Sequence, residues 1–213
     1  MFITLEGIEG SGKTTQIDSM AASLTRWGYD PLITREPGGT AIGRQIRRIL
    51  LDPGNTALDG TAEMLLYTAD RRQHIQEVIA PALADGRVVI CDRYFDATLV
   101  YQGGARGVDM TLLRDLHRMV NAGLMPDITF LLDLEPETGL SRAWGQVADG
   151  SRSDCETRFE KEALHFHQQV RRCYRDMASR EPQRFECIDA AASPEAVSEQ
   201  ITAALARRLG VNR

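Results

Sequence analysis

The feature that most constrains this chain is a glycine-rich loop close to its start. Residues 7–14, GIEGSGKT, fit the pattern G-x-x-x-x-G-K-[ST], which wraps backbone amides around phosphate groups. The β-prone run FITLE precedes the loop, and apolar residues recur at helical spacing over residues 17–24. Glycines allow the N–H groups to close around phosphate oxygens, while a helix N-terminus and Lys13 add positive charge. The sequence therefore predicts a nucleotide phosphate site in a strand, loop and helix unit.

The phosphates of ATP are expected to contact the whole loop. Thr14 would offer its hydroxyl to Mg²⁺, which prefers oxygen ligands. A chance match in a glycine-rich turn is the alternative, and the flanking strand and helix argue against it. The residues assigned to the phosphates are Gly7, Ile8, Glu9, Gly10, Ser11, Gly12, Lys13, Thr14 and Thr15.

Composition indicates an ordinary single-domain globular protein. The 213 residues can bury a sizeable core, and 43% hydrophobic with 26% charged residues is typical of that class. A net charge of −5 argues against a nucleic-acid surface. No apolar run reaches membrane-spanning length and no secretion signal opens the chain, so we expect a cytoplasmic protein without a membrane partner.

Cysteine and histidine spacing gives no sign of a metal centre. The four cysteines contain no C-x-x-C pair, which favours free thiols in a reducing compartment. His165 and His167 are two residues apart, so they would point in different directions on a helix.

Strand-like and helix-like runs alternate along the chain. This alternation predicts an α/β fold, with a parallel sheet of about five strands covered by helices on both faces, over residues 1–213 as one domain. The predicted strands are 2–6, 31–35, 87–92, 127–134 and 184–189. The predicted helices after the loop helix are 42–51, 62–83, 112–120, 157–178 and 194–209.

The segments that follow the predicted strands carry the polar chemistry. In a parallel α/β sheet, ligands bind beyond the carboxyl ends of the strands, where this chain places the loop, REPGGT and DRYFDATLVYQGG. Arg35, Arg71 and Arg93 exceed what ATP alone requires, and guanidinium groups suit phosphate oxygens. A second phosphate-bearing small molecule is therefore expected beside the loop.

The motifs EGIEGSGKTT, TREPGGT, LLYTADR, CDRYFDATLVYQGG and RFE follow one another along essentially the whole chain. In this order they resemble the motifs of bacterial thymidylate kinases, a family of P-loop nucleoside monophosphate kinases. The resemblance implies a fold of P-loop NTP hydrolase type and transfer of the γ-phosphoryl group of ATP to thymidine monophosphate (dTMP), giving dTDP for dTTP synthesis. It also implies Mg²⁺ as cofactor and a homodimer.

The resemblance assigns the acceptor site residue by residue. Tyr67 matches the aromatic residue that stacks on thymine, although periodicity alone favours a core position. Arg71, one helical turn later, matches the arginine that reads the base, and Arg93 matches the one that holds the acceptor phosphate. Asp92 is expected to face Lys13 or a Mg²⁺-bound water, with a helix cap as the alternative. The acceptor set is Glu9, Arg35, Pro37, Tyr67, Arg71, Arg93, Thr98, Tyr101 and Gln102, and the metal set is Thr14 and Asp92.

A polar stretch, GQVADGSRSDCET at residues 145–157, is either a plain surface loop or part of a lid. Because Gly10 stands where some relatives carry a basic residue, the resemblance implies that a lid of about residues 142–158 supplies arginines to the γ-phosphate. Here the chain departs from the family pattern, since the segment is longer and a threonine replaces the aspartate before RFE. The lid arginines are Arg142, Arg152 and Arg158, and the predicted catalytic set is Lys13, Arg93, Arg158 and Arg152.

Two alternatives stay open at this point. One is a kinase for another nucleotide or nucleoside, and the other is a regulatory P-loop protein that binds nucleotide without turnover. A GTPase is disfavoured because the chain has no N-K-x-D motif. The resemblance further suggests that the bond between Glu36 and Pro37 is cis.

Overall fold

A computed structural model describes residues 1–151 and 153–211 of the chain. The described strands are β1 Phe2–Glu6, β2 Pro31–Arg35, β3 Val88–Asp92, β4 Ile128–Asp133 and β5 Phe185–Asp189. They form one parallel sheet in the order β2-β3-β1-β4-β5. Ile3 at its centre lies opposite Ile90 of β3 and Ile128 of β4. The predicted parallel sheet is confirmed, with strand ends shifted by at most one residue.

Helices connect these strands, and side-chain caps mark several of their starts. Asp59 accepts hydrogen bonds from two backbone amides of α3, Thr40 accepts one from α2, and Ser193 accepts one from α9, where Pro194 takes the first helical position. The helices are α1 Lys13–Arg26, α2 Ala41–Leu51, α3 Gly60–His74, α4 Ala80–Ala84, α5 Phe95–Thr98, α6 Met110–Asn121, α7 Pro136–Ala148, α8 Leu164–Arg180 and α9 Pro194–Leu209. Short π-helical stretches extend α3 at Ile75–Ile79 and α5 at Leu99–Ala105.

Apolar side chains fill both faces of the sheet. Ile3 and Ile90 belong to a cluster with residues of α1, α8 and α9, whereas Phe2 and Val89 belong to a cluster with residues of α3 and α6. Neighbouring strand residues thus point to opposite faces and are buried on both, as a parallel sheet covered by helices requires. The predicted two-sided covering is confirmed.

Two predicted helices and one predicted loop boundary need correction. The run predicted as one helix over 62–83 divides into α3, a π-helical turn and α4. The helix predicted from residue 157 begins at Leu164, because residues 157–163 form turns that are tied to α2 through the Arg158 amide and the Leu51 carbonyl (3.3 Å). The polar stretch from residue 145 is helical up to Ala148, since one glycine in a helix costs only about 1 kcal/mol.

Three loops meet at the carboxyl edge of the sheet. They follow β1, β2 and β3, whose last residues are Glu6, Arg35 and Asp92, and Leu5 lies directly opposite Asp92. The peptide bond between Glu36 and Pro37 is cis, which confirms that prediction. Within the described part of the chain, no helix has the length and apolar character needed to cross a membrane.

Candidate active site

The glycine-rich loop has the backbone shape that its sequence predicts. Gly7 and Gly10 have positive φ angles of 144° and 69°, which side chains disfavour. A Cβ at Gly7 would lie 2.6 Å from the Leu132 carbonyl oxygen, and one at Gly10 would collide with the carbonyl of Gly139 in α7. Close packing of the loop on β4 and α7 therefore demands glycine at both positions.

Lys13 begins α1 and curls back over the loop. Its Nζ donates hydrogen bonds to the carbonyl oxygens of Gly7 (3.2 Å) and Ile8 (3.1 Å), and the side chain is almost fully buried. Burial, followed by the nearby Arg93 charge, lowers the pKa of Lys13 to about 8, against the opposing effect of Asp92 and two glutamates. An anion at the loop would add to the negative charge of these carboxylates and further favour the ammonium form of Lys13.

Arg93 faces the loop from the end of β3. Its Nη2 donates to Glu9 Oε1 (2.9 Å) and its Nη1 donates to the Tyr101 hydroxyl (3.0 Å), which itself donates to Glu9 Oε1 (2.7 Å). Burial acts to raise the pKa of Glu9, but the Arg93, His167 and Lys13 charges outweigh it, so the pKa lies well below its usual range. Glu9 and Tyr101 are buried and Arg93 is partly exposed, and the charges of Arg93 and Glu9 balance each other.

Arg71 is held rigidly on the other side of the cleft. Its Nε donates to Glu36 Oε2 (2.8 Å), and its Nη2 donates to Thr98 Oγ1 (2.9 Å) and to the Tyr94 carbonyl (3.2 Å). His74 Nδ1 lies 2.9 Å from the second Glu36 oxygen. Arg71 is only 2% exposed, and its orientation is fixed by partners on two segments, the loop after β2 and the start and end of α5.

A cleft of about 540 Å³ joins these groups. Tyr67 is half-buried on its wall, so it both contacts the core and presents a face to the cleft. Gly7 and Ile8, the first two residues of the loop, are buried and do not line the cleft. The predicted residues that line the cleft are Glu9, Gly10, Ser11, Gly12, Lys13, Thr14, Thr15, Arg35, Pro37, Tyr67, Arg71, Asp92, Arg93, Thr98, Tyr101 and Gln102.

The lid arginines are placed differently from this set. Arg158 pairs with buried Glu63 through Nη1 and Oε2 (2.6 Å) and also donates to the Leu50 carbonyl (3.1 Å). Arg142, on α7, donates to the Ala190 carbonyl (3.1 Å). The candidate Arg152 lies outside the residues that the structure describes. In this conformation, neither Arg142 nor Arg158 lines the cleft.

Oxygen atoms suited to Mg²⁺ lie at the loop. The Oδ1 of Asp92 is buried and accepts no hydrogen bond from any described residue, and the exposed Thr14 borders the same cleft. Lys13 Nζ donates to carbonyls of its own loop and not to Asp92, so of the two partners expected for Asp92, Lys13 interacts with it through charge alone. No side chain caps α5, which leaves the cap alternative for Asp92 unsupported. A carboxylate and a hydroxyl are ligands that Mg²⁺ accepts, so the residues present fit the metal.

Comparison with known proteins decides the family. The family model described as thymidylate kinase matches residues 5–201. The chain belongs to the thymidylate kinase family. It is 51% identical to the thymidylate kinase of Desulforapulum autotrophicum, over all of this chain and 93% of that protein, and 50% identical to that of Desulfosudis oleivorans over both full lengths.

A solved structure agrees with this membership. The crystal structure of thymidylate kinase from Ehrlichia chaffeensis superposes with a TM-score of 0.76 at 33% identity, covering 96% of this chain and 97% of that one. The chain is therefore a nucleoside monophosphate kinase with the P-loop NTP hydrolase fold that the motifs imply. The regulatory alternative is not needed to explain any part of the site.

Several residues of the site were not identified from the sequence. Glu36 lies inside REPGGT, and a carboxylate there must pair with a cation once it is buried. Glu63 precedes Tyr67 and Arg71 by one and two helical turns on one face. His167 shares helical spacing with buried Val170 and Tyr174, which signals the inner face of α8, and its Nδ1 lies 3.3 Å from Glu9 Oε2.

Proposed function

We propose that the cleft transfers the γ-phosphoryl group of ATP to dTMP, giving dTDP for dTTP synthesis, in the cytoplasm where both substrates occur. The observation that carries this assignment is the meeting of Lys13 with Arg93 and Arg71 in one cleft. Lys13 serves the donor side at the loop, and the two arginines serve a second ligand. We place the base of a monophosphate against Tyr67 and Arg71, which line the same cleft as Arg93.

The reaction needs positioning and charge compensation more than acid–base chemistry. A phosphate monoester has a second pKa near 6, so the attacking oxygen is already ionised at neutral pH. Arg93 would hold this acceptor phosphate in line with the γ-phosphorus, and Lys13 would balance the charge of the migrating group. Direct transfer without a covalent enzyme intermediate follows.

Glu9 keeps the acceptor side ordered before the substrate binds. It pairs with Arg93 and accepts the Tyr101 hydroxyl, so the arginine enters the reaction already oriented. When the acceptor phosphate binds, its oxygens would accept hydrogen bonds from some of the Arg93 N–H groups, while Glu9 keeps its own bond to the guanidinium. Tyr101 then borders the deoxyribose, and Thr98, Gln102, Arg35 and Pro37 complete the acceptor wall.

We assign Mg²⁺ to Thr14 and, partly through water, to Asp92. When bound, the ion supplies charge neutralisation for the donor phosphates. Lid closure over residues 142–158 would add Arg158 or Arg152 to the γ-phosphate, and an arginine in that place is worth ~10³ to 10⁵ in rate in comparable phosphoryl transfers. For Arg158, closure requires release from Glu63.

Turnover with a panel of nucleoside monophosphates tests the function. Isothermal titration with dTMP is followed by a coupled assay for ADP release with ATP and Mg²⁺. We expect dTMP to give the highest kcat/KM. A higher value with another monophosphate would favour the alternative kinase, and tight dTMP binding without ADP release would favour a regulatory protein.

We also propose a homodimer built on α2, α3 and α6. These helices lie side by side and carry large apolar side chains that are 44–78% exposed, namely Ile49, Leu65, Leu112 and Met119. Such a patch is expected to be covered. Light scattering should show a dimer for the wild type and a monomer for Leu65→Glu, while Leu164→Glu on α8 serves as a control. A monomeric wild type would exclude this assembly.

A further inference from the structure

Arg93 has a backbone conformation that its side chain does not favour. Its φ is +65°, in the left-handed region where residues other than glycine are uncommon. In the described part of the chain only Ala122, which ends α6, shares this property. A residue keeps such an unfavourable conformation only when several contacts of its neighbours hold the backbone in place. The contacts around Arg93 therefore show what holds it.

Hydrogen bonds fix the backbone on both sides of Arg93. Its own amide donates to the Leu5 carbonyl (3.0 Å), which continues the sheet pairing of β1 with β3. The next amide, that of Tyr94, donates to the carboxylate of Glu6 through Oε1 (2.8 Å). Sheet pairing ends at the first of these bonds. Beyond the strand, Arg71 Nη2 donates to the Tyr94 carbonyl (3.2 Å) and Cys91 Sγ donates to the Arg93 carbonyl (3.0 Å), while Glu6 accepts the Tyr94 amide and so anchors the N–H side of the turn.

Glu6 is itself locked in place. It is fully buried at the end of β1, directly before the glycine-rich loop, and its Oε2 accepts the Tyr174 hydroxyl of α8 (2.7 Å). Neither contact belongs to regular secondary structure. A buried carboxylate is costly unless its oxygens are hydrogen-bonded, and here each oxygen has one donor.

We propose that Glu6 is a positioning residue that keeps Arg93 aimed at the acceptor phosphate. With Tyr94 held, the chain turns sharply at Arg93 and directs its guanidinium to Glu9 and Tyr101. Relaxation to a right-handed conformation would swing the guanidinium away from both. This inference rests on the role proposed for Arg93, and it assigns to Glu6 no contact with substrate.

Kinetics of Glu6→Leu, which removes both acceptor oxygens at similar size, test the proposal. We expect kcat/KM for dTMP to fall on the order of 10²-fold, as a misplacement of about 1 Å can cause. The KM for ATP should change little, because Lys13 and the loop serve the donor. Glu6→Gln keeps an acceptor for the Tyr94 amide and should remain within a few-fold of wild type.

A double-mutant cycle with Arg93→Ala separates this role from general stabilisation. If Glu6 acts through Arg93, Glu6→Leu should have almost no further effect on kcat/KM in the Arg93→Ala background. A full, additive loss there would overturn the proposal, as would wild-type kinetics for Glu6→Leu. Near-normal turnover by Arg93→Ala alone would instead refute the role of Arg93 itself, so the two failures are distinguishable.

Two further variants guard against trivial outcomes. Val197→Ala, in the buried face of α9, should lower the melting temperature without changing kcat/KM, which controls for lost stability. If Glu6→Leu does not fold, Tyr174→Phe replaces it, because that change removes the donor to Glu6 Oε2 alone. Its kcat/KM should fall in the wild-type background and not in Arg93→Ala. Equal losses in both backgrounds would overturn the proposal.

Discussion

Arg158 and Glu63 form a buried ion pair, with Nη1 2.6 Å from Oε2, that ties the last residue of the proposed lid to the helix carrying Tyr67 and Arg71. Glu63 also accepts hydrogen bonds from Gln102 Nε2 (2.6 Å) and Arg106 Nε (3.0 Å). The lid arginine that aligns best with the family is thus engaged away from the loop. Its contribution to turnover and its contribution to stability can be separated.

Replacing Arg158 with Ala should lower kcat far more than it raises the KM for dTMP, because the proposed phosphate contact strengthens in the transition state. The same change removes one of the two arginines paired with buried Glu63; because Arg106 remains, the loss of stability should stay below the roughly 3–5 kcal/mol that an uncompensated buried charge costs. Glu63→Gln is the matched control: it breaks the ion pair but keeps Arg158, so stability should fall while kcat is largely retained. Equal loss of kcat in both variants would mean that Arg158 acts only through the pair.

Replacing Lys13 with Ala should lower kcat by at least ~10²-fold, the usual cost of removing one donor to developing charge. Binding of dTMP should be nearly unchanged, since the lysine serves the donor phosphates. Exposed Lys161, the only other lysine of the chain, gives the control variant Lys161→Ala, which should turn over normally. Near-normal activity of Lys13→Ala would remove the loop from the mechanism.

Thermal melting of the Lys13 variant without ligand gives a second readout. Burial lowers the pKa of Lys13 to about 8, because taking the ammonium out of water disfavours its charged form. At pH 7 we therefore expect Lys13→Met to melt at or above the wild-type temperature. A clearly lower melting temperature would show that the bonds to Gly7 and Ile8 outweigh the cost of the buried charge.

Base selectivity tests Arg71. Uracil keeps the 4-oxygen that a guanidinium can bind and loses only the methyl group, so dUMP should be a substrate weaker by roughly 10–200-fold. Cytosine presents an amino group to a residue that can only donate, so dCMP should be almost inert. Arg71→Lys keeps a positive charge beside Glu36 but loses the planar set of guanidinium donors. The kcat/KM for dUMP divided by that for dCMP should therefore decrease. An unchanged ratio would mean that another group reads the base.

Acid stability should depend on His117, which stacks on Phe95 with ring centroids 3.8 Å apart. Burial, aided by the Arg71 charge, lowers the pKa of His117 from 6.5 to about 4. Between these values the unfolded chain binds a proton at His117 that the folded protein does not. The free energy of unfolding is therefore unaffected by His117 above pH 6.5 and decreases as the pH falls from 6.5 towards 4. Near pH 4 the loss amounts to roughly 3 kcal/mol at 1.36 kcal/mol for each pKa unit.

Comparison of wild type with His117→Gln isolates this effect, because glutamine can still donate to the Leu124 carbonyl. Asp70 has the opposite effect in an overlapping pH range. Burial and the Glu36 charge raise the pKa of Asp70 to about 6, so the folded protein takes up a proton there first and the free energy of unfolding increases as the pH falls below 6. Denaturant unfolding at several pH values should show that the free energy of unfolding decreases less between pH 6.5 and 4 for His117→Gln than for the wild type. Parallel curves would exclude His117 as the source.

The sequence by itself determined the sheet, the loop and the residues that face the cleft. Short-range patterns suffice for these features: apolar runs mark the strands, glycines mark the loop, and motifs at strand ends gather at one edge because parallel strands share their direction. Arg93 could therefore be placed near the loop from its position after a strand, whereas Arg71, on a helix, was placed at the site by the resemblance to thymidylate kinases.

Tertiary structure alone decided which charges pair. Glu36 with Arg71, Glu63 with Arg158, and Glu6 with the turn at Arg93 join segments far apart in the chain. No local periodicity encodes such partners, because each depends on how helices pack over the sheet and on which polar atoms that packing leaves to be satisfied. For the same reason the RFE motif identified Arg158 but did not predict where its side chain points. That direction is set by Glu63, a buried carboxylate on another helix.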